Sequence, residues 1–201
     1  MARALRRSII LDFDGTIVDY RERFYQAYCN FAKKPLDCKT FWGLRAQNKK
    51  MAELLDSPHF LKDFDMALES PDLLQEDKLL CPPEFLHALK KKYNLVVITN
   101  RKNEKALLLQ INTLGIQDCF SEIMTTADLD KQAIISQYSK KDVVVGDSEE
   151  EIIAGNKSGL ITIGVLSGLR TREQLLKANP RVIIESIMEL PKVLEGLDFL
   201  V

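Results

Sequence analysis

The sequence predicts an α/β fold: a parallel sheet with helices on both faces and a small all-helical domain inserted after the first strand. Three observations carry this. Four short runs, Ser8 to Phe13, Leu95 to Thr99, Asp142 to Gly146 and Ile161 to Val165, are rich in Ile, Val or Leu along their whole length, the pattern of strands covered on both faces. Helical stretches lie between the later runs, and strand alternating with helix implies a parallel sheet. Finally, roughly eighty residues separate the first run from the second, where a crossover needs only about a dozen.

Ser8 to Phe13 opens the sheet. From Asp19 to about Leu80 the periodicity turns helical, and no strand is expected. Phe24, Ala27, Tyr28 and Phe31 fall at i, i+3, i+4 and i+7 and make one apolar stripe. Two further helices are expected over Phe41 to Leu55 and Pro58 to Leu68. Strand–helix alternation then resumes, with helices over Pro83 to Tyr93, Glu104 to Leu114, Lys131 to Tyr138 and Glu149 to Ser158. Gly115 closes the second of these and Gly159 the last, as C-terminal caps. Phe120 to Met124 is a weaker fifth strand. The tail adds a helix over Thr171 to Ala178, an edge strand over Arg181 to Ile184 and a last helix over Ile187 to Leu194. The chain thus divides into a core, residues 1–17 and 80–201, and a helical insert, residues 18–79, at the loop end of the first strand.

Composition narrows the function. The chain has 201 residues, 46% hydrophobic and 28% charged, with 28 Lys+Arg against 29 Asp+Glu and a net charge of −1. A chain of this length buries about 70% of its unfolded surface and needs neither disulfides nor metal to fold. Balanced charge without a long run of one sign argues against a broad grip on nucleic acid or anionic membrane. Asp12 and Asp14 cut short the apolar run behind the basic start, so neither a signal peptide nor a spanning helix fits. Cys29, Cys38, Cys81 and Cys119 are scattered, with no CxxC and no His at ligand spacing, as in a reducing cytoplasm. The expectation is a cytoplasmic monomer or homodimer whose partner is a small molecule.

The chemistry concentrates at strand ends. Asp12-Phe13-Asp14-Gly15-Thr16 follows the first run. Carboxylates two positions apart on an extended segment share a side, which is costly unless a cation or shared proton lies between them. Gly15 lets the chain turn tightly and leaves N–H groups free for an anion. Val145-Gly146-Asp147-Ser148 ends another strand and sets Asp147 at the carboxyl edge, where open parallel sheets place ligands. Glu151 lies one helical turn beyond Asp147, where it either holds a metal-bound water or completes an S-x-x-E capping box with Ser148. Thr99 and Asn100 end the second strand and offer a hydroxyl and N–H groups to a phosphate oxygen. Lys131 opens the helix before Asp147, with Lys140 and Lys141 as weaker alternatives.

These motifs, in this order, resemble the haloacid dehalogenase-like (HAD) superfamily. D-x-D-G-T matches Asp12 to Thr16, the strand ending in Thr matches Val96 to Thr99, the lysine matches Lys131, and G-D-x-x-x-[D/E] matches Gly146 to Glu151. The helical insertion looks like the cap of the phosphoglycolate-phosphatase-like branch, as does the tail around Gly164 to Gly168. The resemblance implies a Rossmann-like core and a magnesium-dependent phosphatase acting on a small phosphorylated metabolite. Asp12 would attack phosphorus to form an aspartyl-phosphate. Asp14 would protonate the leaving oxygen and then deprotonate water. Magnesium would be held by Asp12, the Asp14 carbonyl and Asp147, while Lys131 and Thr99 stabilise the phosphoryl oxygens. Asp14 favours phosphoryl chemistry over carbon–halogen cleavage. A phosphomutase of the beta-phosphoglucomutase type is the nearest alternative; a phospho-accepting signalling switch or an inactive binding protein fits less well.

Substrate choice is expected to come from the insert, where Trp42, Arg45, Asn48, Lys49 and Lys50 cluster. Arg45 or Lys49 closing over the core could bind a carboxylate or second phosphate; the other reading is a solvated helix face with Trp42 packed inside.

Overall fold

The computed structural model describes residues 6–47, 49–55, 58–126 and 130–198. The chain begins with β1 (Ser8–Leu11) and β2 (Val18–Asp19) and then forms five helices, α1 (Arg21–Phe31), α2 (Cys38–Ala46), α3 (Met51–Leu54), α4 (Leu61–Leu68) and α5 (Pro71–Leu74). There follow β3 (Lys78–Leu79), α6 (Pro83–Lys92), β4 (Asn94–Thr99), α7 (Glu104–Thr113), β5 (Glu122–Thr125) and α8 (Lys131–Ile135). The chain ends with β6 (Val143–Gly146), α9 (Glu149–Lys157), β7 (Ile161–Val165), α10 (Arg172–Lys177), β8 (Val182–Ile184) and α11 (Leu190–Asp198).

Six of the strands form one wholly parallel sheet, in the order β5-β4-β1-β6-β7-β8. Ile10 of β1 stands opposite Val96 of β4 on one side and Val144 of β6 on the other. Alternate side chains feed two cores: Ile9, Leu11, Val97 and Val145 pack with Leu86, Leu107 and Ile111, while Ile10, Val96 and Val144 pack with Ile134, Ile135 and Ala154. Burial on both faces explains why the runs are apolar throughout. Gly115 and Gly159 lie just past α7 and α9 with φ of 69° and 73°, as helix-ending glycines do.

The helices α1 to α5 enclose a third cluster: Ala27, Tyr28, Phe41, Met51, Leu55, Phe64 and Leu73. The rings of Tyr28 and Phe41 stack at 4.4 Å. The structure departs from the sequence expectation here in three ways. The single helix expected over Phe41 to Leu55 is two, because residues 47–50 are all polar and interrupt the stripe. The first turn expected in the next helix is a 3₁₀ turn, Pro58–Phe60. And the segment is bounded by a ladder that has no sequence signature: Val18 pairs antiparallel with Leu79, and Asp19 with Lys78. In the tail, Ser186 caps a 3₁₀ turn, Ile187–Glu189, before α11, where one helix was expected. Among the described residues no helix is long and apolar enough to cross a membrane.

Candidate active site

Because β1 lies between β4 and β6, the loops leaving their carboxyl ends diverge, and a crevice opens there. Asp12 follows β1, Thr99 ends β4 and Asp147 follows β6. With Asp14, Asn100 and Glu151 they line a cavity of ≈1080 Å³ that the helical insert roofs. Gly15, at φ 79°, turns the chain at its floor. A side chain there would place its Cβ 2.5 Å from Asp147 Oδ2, and one at Gly168 would place it 1.8 Å away. Two glycines therefore keep the space beside Asp147 open. The Ser167 hydroxyl fixes the turn by donating to the Gly15 carbonyl at 2.7 Å.

Lys131, the first residue of α8, reaches across to the floor. Its Nζ donates to Asp12 Oδ1 at 3.0 Å and to the Glu151 carboxylate. Lys140, by contrast, packs its methylenes near Gly159, 3.6 Å from where a Cβ would stand. Burial raises the Asp12 pKa to about 7; Glu151 and Asp14 add to the rise, and Lys131 opposes it. Burial likewise pushes Asp147 well above the usual carboxylate range, aided by Asp12 and Glu151, although the Leu169 N–H donates to Asp147 Oδ2 at 3.0 Å. Burial alone would lower the Lys131 pKa, but Asp12 and Glu151 outweigh it and the lysine stays charged.

Asp14 has its own cations. Arg23 Nη2 donates to Oδ1 at 2.5 Å, Arg101 Nη2 to Oδ1 at 2.6 Å and Arg101 Nε to Oδ2 at 2.8 Å. Both guanidiniums also bind the fully buried Asp77, through Arg23 Nε at 2.9 Å and Arg101 Nη2 at 3.2 Å. Gln110 completes the group, donating to Asp77 Oδ2 at 2.8 Å and accepting from Arg101 Nη1. Burial would raise the Asp14 pKa, but Arg101 and Arg23 prevail and hold it at about 2. The Asp12 and Asp14 carboxylates thus face different bases, Lys131 for the first and Arg23 with Arg101 for the second.

The remaining candidates divide. Thr99 is buried at the rim, and Asn100 lies on the cavity wall, tied to Glu150 at 2.8 Å and Thr126 at 2.7 Å. Of the two roles open to Glu151, the capping box with Ser148 is not formed. Ser148 caps α9 through the Glu150 N–H, and its hydroxyl donates to Glu151. Lys49 is not on the cavity wall; its ammonium is held by Glu53 at 2.8 Å, one turn away on the exposed face. Arg45 stands behind the wall, its guanidinium 5.4 Å from the centre of the Phe24 ring and bonded to the Lys49 carbonyl at 2.7 Å. Asn48 lies outside the described residues. Sequence reading missed Arg23, Arg101, Asp77 and Gln110. The one available signal was Gln110, a polar residue beside Leu107 and Ile111 on the buried stripe of α7.

The donors suit a hard cation. Asp12 and Asp147 are buried carboxylates, and Asp12 raises the proton affinity of Asp147. The Asp14 main-chain carbonyl takes no backbone hydrogen bond among the described residues. Oxygen-only donors with room for water match Mg²⁺. Among the described residues no group of three or more His, Cys, Asp or Glu side chains is placed to hold an ion, so these two carboxylates would need the carbonyl and outside oxygens to complete a shell.

The fold recurs in known structures. The chain is similar in structure to a haloacid dehalogenase-like family hydrolase from Streptococcus pneumoniae, with TM-score 0.78, 19% identity and coverage of 94% of this chain and 98% of that one. A predicted phosphatase from Clostridium acetobutylicum gives 0.76 at 21% identity, covering 96% and 100%. A predicted phosphoglycolate phosphatase from Haemophilus somnus gives 0.70 at 21%, covering 96% and 99%. No curated protein sequence matches. The model of the haloacid dehalogenase-like hydrolases matches residues 9–165, from β1 and its aspartates through Lys131 and Asp147 to the end of β7, and the chain belongs to that family.

Proposed function

We propose that the chain is a magnesium-dependent phosphatase that hydrolyses a phosphate monoester of a small metabolite through an aspartyl-phosphate. The observation that carries this is Asp12: a buried carboxylate at the cavity floor, with Lys131 Nζ 3.0 Å away and a second acid two residues on. An Asp12 oxygen attacks phosphorus, the ester P–O bond breaks, and the alcohol leaves. Water then attacks the same phosphorus, releases inorganic phosphate and restores the carboxylate. Lys131, Thr99 and nearby main-chain N–H groups take up charge on the phosphoryl oxygens. Asp12, Asp147 and the Asp14 carbonyl would hold Mg²⁺, which would supply further neutralisation of that charge when bound.

Asp14 moves the protons. Held by Arg23 and Arg101 it is charged, the form that accepts a proton from water in the second step. Delivering a proton to the leaving oxygen in the first step calls for one of those pairs to open, and Arg23 sits on the insert, which acts as a cap. Cap movement would therefore couple closure to proton transfer.

The test is release of inorganic phosphate from a panel of phosphate monoesters, with and without Mg²⁺, repeated on Asp12→Asn. The expected result is Mg²⁺-dependent release that Asp12→Asn lowers by at least ~10³. Near-normal release by the variant overturns the mechanism, and rearranged sugar phosphate without free phosphate transfers the assignment to a mutase.

A further inference from the structure

We propose that the cavity takes a phosphate monoester of nucleotide size whose leaving group carries an aromatic ring. This deepens the phosphatase reading and rests on it. Three features lead there. First, ≈1080 Å³ is just above the ~300–1,000 Å³ typical of sites for drug-sized ligands. A two- or three-carbon leaving group would occupy a small part of it.

Second, α4 presents a wall. Lys62, Asp65, Met66 and Glu69, spaced i, i+3, i+4 and i+7, line the cavity, while Phe64 on the other side of the helix anchors it in the insert. The acids on this face already belong to the opposite rim. Glu69 accepts the N–H groups of Lys102 at 2.8 Å and Asn103 at 2.6 Å, and Asp65 pairs with Lys102 at 3.4 Å. Met66 stands among them with 66% of its surface exposed. Phe24, Leu68 and Leu169 join it on the wall, with Tyr20 set edge-on to Phe24 at 5.8 Å.

Third, several other polar groups on the wall are engaged: Arg170 with Glu149 at 2.6 Å, Asn100 with Glu150 at 2.8 Å, and Arg101 with Asp14. A polyhydroxylated leaving group would give up hydrogen bonds to water and could regain them only from the groups still open, such as Lys62 and Lys105 at the rim. An aromatic ring loses little and gains the Met66 thioether and the Phe24 and Tyr20 rings.

The test is steady-state hydrolysis by the full chain with Mg²⁺ of adenosine 5′-monophosphate, 2-phosphoglycolate and glucose 6-phosphate, with equilibrium dialysis of the nucleotide alongside. The nucleotide is expected to have the highest kcat/KM. Met66→Gln, a substitution of similar size at an exposed position, is expected to raise its KM about fivefold more than that of 2-phosphoglycolate, with Met66→Leu restoring most of the loss. Preference for 2-phosphoglycolate or glucose 6-phosphate, or an equal effect of Met66→Gln on all three, overturns this inference and leaves the phosphatase reading standing. Nucleotide that binds, weakens with Met66→Gln and is not hydrolysed, with no phosphate released from the other two esters, supports the subsite and overturns the phosphatase reading. Nucleotide neither bound nor hydrolysed overturns the inference.

Discussion

Two charge clusters meet on the cavity floor, and they are built on opposite principles. Around Asp12, three carboxylates, those of Asp12, Asp147 and Glu151, face one cation, Lys131. Around Asp14, two carboxylates face two guanidiniums, and Gln110 takes up further hydrogen bonds. Burial acts on both, yet it leaves Asp12 raised to about 7 and Asp14 lowered to about 2. The difference teaches that burial alone does not decide a carboxylate's behaviour; the local balance of charge does. The first cluster is short of positive charge and so is open to a metal ion and a phosphate. The second is complete, and it joins residues of the insert to residues of the core.

Breaking the complete cluster should cost most. Arg101→Leu leaves Asp14 and Asp77 with one arginine between them, and urea denaturation is expected to show a loss of about 3–5 kcal/mol. A loss below ~1 kcal/mol would mean that the cluster is open in solution. Gln110→Leu removes hydrogen bonds but no charge, so the expected loss is smaller, about 1–3 kcal/mol by the same measurement.

The cluster short of cations should respond to pH. With a chelator present, folded Asp12 keeps its proton up to about 7, whereas an unfolded carboxyl loses it near 3.8. Between those values the folded state binds more protons, so this group's contribution to stability falls as pH rises. The Tm of Asp12→Asn relative to wild type is therefore expected to climb from pH 4 to pH 7; a flat difference removes the argument. Saturating Mg²⁺ should stabilise wild type, by ~2.7 kcal/mol at a hundred times Kd, and Asp147→Asn should lose most of that gain.

The two clusters also differ in how far the sequence reveals them. Asp12, Thr99 and Asp147 sit at the ends of apolar runs, and a parallel sheet brings such ends to one edge whatever the loops do. Lys131 was legible only through its place in the motif order. Arg23 meets Asp77 across a separation of 54 residues and Arg101 meets Asp14 across 87, and in the sequence each is one charge among many. No periodicity reports a pairing of that kind. The same holds for β2 and β3, two residues each and too short for an alternation to register. Lys49 misled for the converse reason: it lies in a basic stretch of the insert, but the face it occupies meets Glu53 and water.

That short ladder has a consequence for how such a molecule can vary. Val18 and Asp19 bonded to Leu79 and Lys78 close the inserted segment at its root, so the main chain passes between sheet and insert at two adjacent crossings. Doubling the length of a closed loop costs only about 0.6 kcal/mol. The ladder is in effect a socket: helices above it can be lengthened, shortened or exchanged at little thermodynamic cost to the strands below. Whatever occupies the socket must still offer an arginine to Asp14, as Arg23 does, or leave that carboxylate to Arg101 alone.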